Sequence, residues 1–247
     1  MSENSIPGRP PDDVASRIAQ RALAKRGADY TSEVRRLLDA AIEVMGQRGL
    51  TSRPRVADIV RAAGLSNDAF YRYFPSKDAL VAALLEDGTE RLYGYVAHQM
   101  TKEQTPEGKV RRWVRGVLSQ AGEEIAANTR AVLWNAGAVS ETVGSTPPMA
   151  SGRLAELLSE HFRRLGSADP AFDASLAAHA TFGKLGDYLW SGEEPTDRDI
   201  ERITAFCLRT ITPVAPGRTE EKASPHAEPL KRDGQGQGEE SNSRKQE

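Results

Sequence analysis

One cysteine, Cys207, stands in a chain of 247 residues. No intrachain disulfide and no cysteine-based metal cluster can be built from it, and on an apolar face it reads as a small buried hydrophobe. Histidine is nearly as scarce. His98, His161, His179 and His226 fall into no metal-binding spacing such as HExxH. Nucleophile elbow, P-loop and GxGxxG are all missing, so an enzyme is not expected, and neither is a cofactor or a metal. No apolar run approaches the ~20 residues of a membrane span. The opening MSENSIPGRPPDD lacks the apolar core of an export signal, so a cytoplasmic protein without membrane contact is the simplest expectation. Strands are wanting as well, because no period-2 apolar run is long enough to argue for one.

What remains is a helical pattern with clear punctuation. The length allows one or two domains with their own cores, and 38% hydrophobic content with a mean hydropathy of -0.54 suits a soluble chain with polar ends. Residues 1–11 are polar and proline-rich. From Asp12 to Arg26 an amphipathic pattern carries Val14, Ile18 and Ala22 inside and Arg17, Arg21, Lys25 and Arg26 outside, a basic extension and candidate extra helix. Such an extension either touches DNA or is a solvated helix. The next helix is predicted over about Ser32–Gln47, capped by Thr31 or Ser32, with Val34, Leu37, Leu38, Ala41, Ile42 and Met45 on one face. Later helices are predicted at about Val56–Ala62, Asn67–Tyr73, from Ser76 past Val96, Thr105–Ala127, Thr129–Val139, Met149–Leu165, Pro170–Trp190 and from Thr196 to near Thr212. That makes nine, with the front segment a possible tenth. Gly144-Ser145-Thr146-Pro147-Pro148 reads as a break, and the tail from Pro213 onward is too polar to offset ordering entropy.

The net charge of -2 does not by itself suggest nucleic acid, but its distribution is uneven. Residues 1–85 hold 13 basic against 10 acidic side chains, residues 86–213 hold 14 against 18, and the tail holds 6 against 7. A mildly basic front on an acidic remainder fits a DNA-reading head on a body that avoids DNA.

The stretch RVADIVRAAGLSNDAFYRYFPSKDALVAAL, from Arg55 to Leu84, is the most informative. Two short helices meet at Gly64, where a helix end favours a left-handed residue, and Ser66 is placed to cap the second. This is the layout of a helix-turn-helix, whose second helix enters the DNA major groove. Phe70 and Phe74 point to the core. Ser66, Asn67, Asp68, Arg72 and Tyr73 are candidates for base reading: Arg72 for guanine, Asn67 for adenine, Asp68 for cytosine. Lys77 opens the following helix, where free N–H groups and the dipole favour a phosphate.

The run Phe70-Tyr71-Arg72-Tyr73-Phe74-Pro75-Ser76-Lys77-Asp78-Ala79-Leu80 resembles the recognition helix and following cap of TetR-family repressors, and the resemblance is dense over residues 31–85. It implies an all-α protein with an N-terminal helix-turn-helix domain and a C-terminal helical domain for ligand binding and dimerisation. The expected limits are 1–30 for the extension, 31–80 for the head, 81–213 for the body and 214–247 for a disordered tail. By the same resemblance Tyr71 and Lys77 match phosphate binders. Val60 stands where the family carries alanine, which would splay the two helices slightly. Arg53-Pro54-Arg55 replaces a threonine-rich cap, and Arg53 and Arg55 either supply the missing phosphate contacts or are solvated. Asp68 replaces a small residue.

The resemblance also implies an effector inside the body, with Trp134 and Phe162 the leading wall residues and Trp113 and Asn135 beside them. It implies a dimer through the last two helices, for which Ala178, Phe182, Gly186 and Trp190 are candidates. The expected function is a homodimeric repressor that binds a pseudo-palindromic operator and is released by a small molecule. An activator or a ligand-independent DNA-binding protein is the alternative, and a helical interaction module or an enzyme is the more distant one.

Overall fold

The computed structural model describes residues 14–143 and 150–211, with side chains described over 16–136 and 150–211. The expectations for residues 1–11, for the break at 144–148 and for the tail from 213 lie outside the described residues. Among the described residues, nine α-helices run in order: α1 Val14–Arg48, α2 Val56–Ala63, α3 Asn67–Tyr73, α4 Lys77–Met100, α5 Pro106–Leu118, α6 Glu123–Val143, α7 Ala150–Arg164, α8 Pro170–Ser191 and α9 Asp197–Arg209, with a 3-10 turn at Ser119–Ala121. No β-strand occurs among the described residues. The all-α expectation holds.

Local chemistry sets most of the helix starts. Ser66, Ser76, Thr105, Asp169 and Thr196 each accept a backbone N–H from three residues on, which satisfies a donor left free by the first turn. Two expectations are corrected. The front segment and the first core helix are one continuous helix, since no proline interrupts them; the Thr31 hydroxyl does not cap a start but donates back to the Gly27 carbonyl at 2.9 Å. The helix predicted over 105–127 ends at Leu118, because Gly122 adopts extended backbone after the 3-10 turn. The following helix consequently begins at Glu123 rather than Thr129.

Two apolar cores form within one compact unit. The head core gathers Leu37, Ala41, Met45, Ile59, Phe70, Phe74 and Leu80 from α1 to α4. The body core gathers Val96, Trp113, Val117, Leu158, Phe162 and Leu185 from α4, α5, α7 and α8. Burying a side chain the size of leucine or phenylalanine contributes ~1.5–3 kcal/mol, so each set is enough to fix its helices. Helix α4 belongs to both: Leu80, Val81 and Leu84 lie in the head core, and Leu92, Val96 and Met100 in the body core. Ala131 and Ala136 of α6 also pack into the head core. Arg153 of α7 ties that helix to α4 through Glu90 at 2.9 Å and the face of Tyr93 at 3.9 Å.

Candidate nucleic-acid interface

The turn between α2 and α3 is fixed from three directions. Gly64 takes the left-handed conformation (φ 61°, ψ 38°), which costs an L-residue ~1–2 kcal/mol. Ser66 caps α3 by accepting the Ala69 N–H at 3.1 Å. Arg36 of α1 reaches over and donates to the Ala63 carbonyl at 2.6 Å and the Gly64 carbonyl at 3.1 Å, satisfying the end of α2. The start of α2 is closed by Asp58, whose carboxylate accepts the Arg55 backbone N–H at 3.0 Å and pairs with Arg48 at 2.7 Å. Asp58 thus supplies the return half of a capping box, while its own N–H is met by the Arg55 backbone carbonyl rather than by a side-chain cap. Sequence patterns do not single out Arg36, Arg48 or Asp58; of the three only Asp58 carries a local signal, an acidic residue at the third position of a helix.

On this frame α3 buries Ala69 and Phe70 and exposes Asn67, Asp68, Tyr71 and Arg72. Tyr71 is 57% exposed, its ring edge-on to Phe70. Lys77 stands at the first position of α4, half-buried, beside the Ser76 cap. Arg53 and Arg55 are exposed on either side of the buried Pro54.

Tyr73 does not join the outward face. It is half-buried, packs edge-on against Tyr30 at 5.9 Å and donates its hydroxyl to Glu33 of α1 at 2.7 Å. Burial first, then the Glu33 carboxylate, pushes the Tyr73 hydroxyl pKa upward, so it stays a donor. The base-reading assignment of Tyr73 is therefore corrected: it fastens α3 to α1. Arg72 pairs with the same Glu33 at 3.5 Å, but both side chains remain partly solvated and such a pair is worth only ~0–1 kcal/mol. A base edge can draw Arg72 away at little cost.

The body candidates separate into two places. Trp113 is fully buried and its indole N–H is spent on the Leu154 carbonyl at 2.9 Å; Phe162 is fully buried in the same core. Trp134 lies instead at the head, half-buried, with the Arg53 guanidinium 5.2 Å from its ring centroid. Its neighbour Asn135 is buried beside that contact; its amide N–H donates to the Ala131 carbonyl, and its Oδ1 has no partner among the described residues. Of the dimer candidates, Trp190 is 54% exposed and Phe182 and Gly186 are half-buried. Ala178 is fully covered by its own chain, which removes it from any surface. Phe172, Leu176 and Phe206 are exposed on α8 and α9, and a groove of about 660 Å³ between those helices is lined by Lys184, Tyr188, Asp199, Arg202, Phe206 and Arg209.

Residues 37–84, which span this head, match the bacterial regulatory proteins of the tetR family. The transcriptional regulator YvdT of Bacillus subtilis is 44% identical over 52 residues, 21% of this chain and 26% of that protein. The regulator BetI of Cronobacter sakazakii is 28% identical over 197 residues, 76% of this chain and 95% of BetI. The head is thus similar to the DNA-binding region of TetR-family regulators, and the similarity to BetI extends over most of the chain. A crystal structure of a TetR-family regulator from Pectobacterium atrosepticum shares the fold, with a TM-score of 0.52 at 24% identity over 74% of this chain and 91% of the other. The matched head and these relatives indicate a DNA-binding transcriptional regulator. Among the described residues, no helix is long and apolar enough to cross a membrane, and no cluster of three or more potential metal ligands occurs.

Proposed function

We propose that the protein is a homodimeric repressor whose two heads occupy successive major grooves of a pseudo-palindromic operator and which a small-molecule effector releases. The observation that carries the DNA half is the outward face of α3. Asn67, Asp68 and Arg72 stand free of the core, next to Tyr71 and Lys77, the candidates for phosphate contact. Ser66 serves as the cap of that helix and is exposed, so its hydroxyl can still meet a second partner. Arg53 and Arg55 flank the start of α2, where backbone donors also favour an anion.

Dimerisation through α8 and α9 is supported by the exposed Phe172, Leu176, Trp190 and Phe206, large apolar side chains gathered on two neighbouring helices. The release step is supported by α4, which is shared by both cores. A ligand that favours a tilted α4 moves Leu80 and Val81 together with Val96, and so shifts the head. The contact of Trp134 with Arg53 gives α6 a second hold on the head. The ligand need only bind the DNA-incompetent state better, by ~1–3 kcal/mol.

The test begins with selection of an operator from a random duplex library, followed by titration of Tyr71→Ala and Lys77→Ala at several salt concentrations. Each variant should weaken binding evenly across sequences; Lys77→Ala should also lower the salt slope by about 1, while Tyr71→Ala, which removes no charge, should leave the slope unchanged. Unchanged binding in both would refute the assignment. Sedimentation at micromolar concentration should give a dimer, and a monomer would refute the palindromic arrangement.

A further inference from the structure

Helix α1 continues far beyond the head that it anchors. Residues 17–32 are exposed without exception, and the part preceding Tyr30 spans roughly 24 Å at 1.5 Å per residue. Over residues 14–29 it carries Arg17, Arg21, Lys25 and Arg26 against the single acid Asp29. Arg17, Arg21 and Lys25 follow one another at four-residue steps and so share one side of the helix. The exposed apolar side chains Ile18 and Leu23 diverge by about 140° around the axis, and Ala19, Ala22 and Arg26 lie between them, so the apolar side of this segment is shallow and interrupted by charge. Charge is the chemistry this segment presents.

The root of the extension is fastened to the recognition helix. Tyr30 packs on Tyr73, and Glu33 holds both Tyr73 and Arg72 at the last turn of α3. The basic helix therefore departs from the end of the element that enters the major groove, beside a polymer with one negative charge per ~1.7 Å of axis.

We propose that residues 14–29 form a second DNA-binding element, one that grips phosphates of the duplex flanking the operator without reading its bases. This rests on the operator-binding role above and adds length to the footprint. Arginine and lysine side chains that pair with phosphates release counterions, so their signature is a steeper salt dependence on long duplexes than on trimmed ones.

The experiment embeds the selected operator in duplexes carrying zero, five, ten and fifteen flanking base pairs on each side. It compares the full-length protein with R21A/K25A/R26A and with the charge-preserving R21K/R26K. Alanine is the strongest helix former, and circular dichroism checks that α1 survives. Affinity of the wild type should rise with flank length, and its salt slope should steepen by about 1 to 3, or ~0.9 for each phosphate neutralised. The alanine variant should show neither effect, and R21K/R26K should keep both. Equal flank dependence and equal salt slope in wild type and alanine variant would overturn the proposal. So would a change in oligomeric state without a change in DNA binding, which would mark the extension as a self-association helix. If no operator is recovered, the repressor reading fails and this proposal falls with it, a result distinct from an unchanged salt slope.

Discussion

Arg36 matters to every candidate contact on α3, because it holds the turn on which that helix is set. Its guanidinium satisfies the Ala63 and Gly64 carbonyls, which end α2 and lie too close to α3 for the helix ladder to use. Arg36→Ala should cost ~1–2 kcal/mol in thermal or denaturant unfolding, since hydrogen bonds from charged groups are the stronger class and a half-buried carbonyl is left unmet. A variant as stable as wild type would show that water replaces the guanidinium without loss. His161 makes a different kind of statement. Burial, with Lys109 and Arg164 adding positive charge, pushes its pKa below the ordinary value, and its buried Nδ1 has no partner among the described residues. The unfolded chain then takes up the proton first. Stability from this residue is intact above the ordinary imidazole value of ~6.5 and declines as the pH falls through that value toward the lower folded one. Melting temperatures between pH 8 and 5 should fall on acidification for wild type and fall less for His161→Phe; a steeper fall in the variant would contradict this assignment. Cys207, by contrast, is inert: burial raises its thiol pKa and keeps the reactive thiolate scarce.

At the scale of elements, α1 carries the extension, the head core and the latch on α3 in a single rod. Gly27 is the weak point of that rod: it is helical, a Cβ there would meet nothing, and glycine within a helix costs about 0.5–1 kcal/mol relative to alanine. Gly27→Ala should raise the helical signal and slow amide exchange over residues 17–30 without changing the head; faster exchange would show that the extension needs a joint. The helices whose ends depend on nearby residues were legible in the sequence. Helix α3 follows from Gly64 and Ser66, α4 from Ser76, and α9 from Thr196 with Asp199, because a cap acts over three or four positions. The outward positions Asn67, Asp68 and Arg72 could be read for the same reason, as they need only helical periodicity and the buried Phe70, whereas Tyr71 was reached through the family resemblance. The role of Tyr73 was not legible. Its partner Glu33 is 40 residues away in sequence and is brought near only when α1 packs on α3. The end of α5 at Leu118 was missed too, since a continuous apolar pattern crosses the 3-10 turn and only the extended backbone of Gly122 stops it. Trp134 looked like a wall of the body because it lies in the second half of the chain, yet α6 returns to the head and sets it against Arg53.

For the whole molecule, the two cores and the helices they share set what function is mechanically possible. Helix α4 crosses from one core to the other, and α6 packs Ala131 and Ala136 into the head, so the head cannot move without a response in the body. In the proposed dimer on α8 and α9, that response would be doubled and appear as a change in the separation of two recognition helices. Operator half-sites set one helical turn apart, ~34–36 Å or a multiple of it, turn a small tilt into lost binding. The whole mechanism depends on the outer face of α3 reading base edges. The direct measurement is equilibrium binding of wild type and Arg72→Ala to the selected operator and to every single-base substitution of it at fixed salt. Wild type should discriminate at several positions, and Arg72→Ala should lose ~1–3 kcal/mol of preference at one position in each half-site while keeping the rest. An Arg72→Ala profile that matches wild type at every position, or that is weakened equally at all of them, would mean that α3 does not read the operator through this arginine.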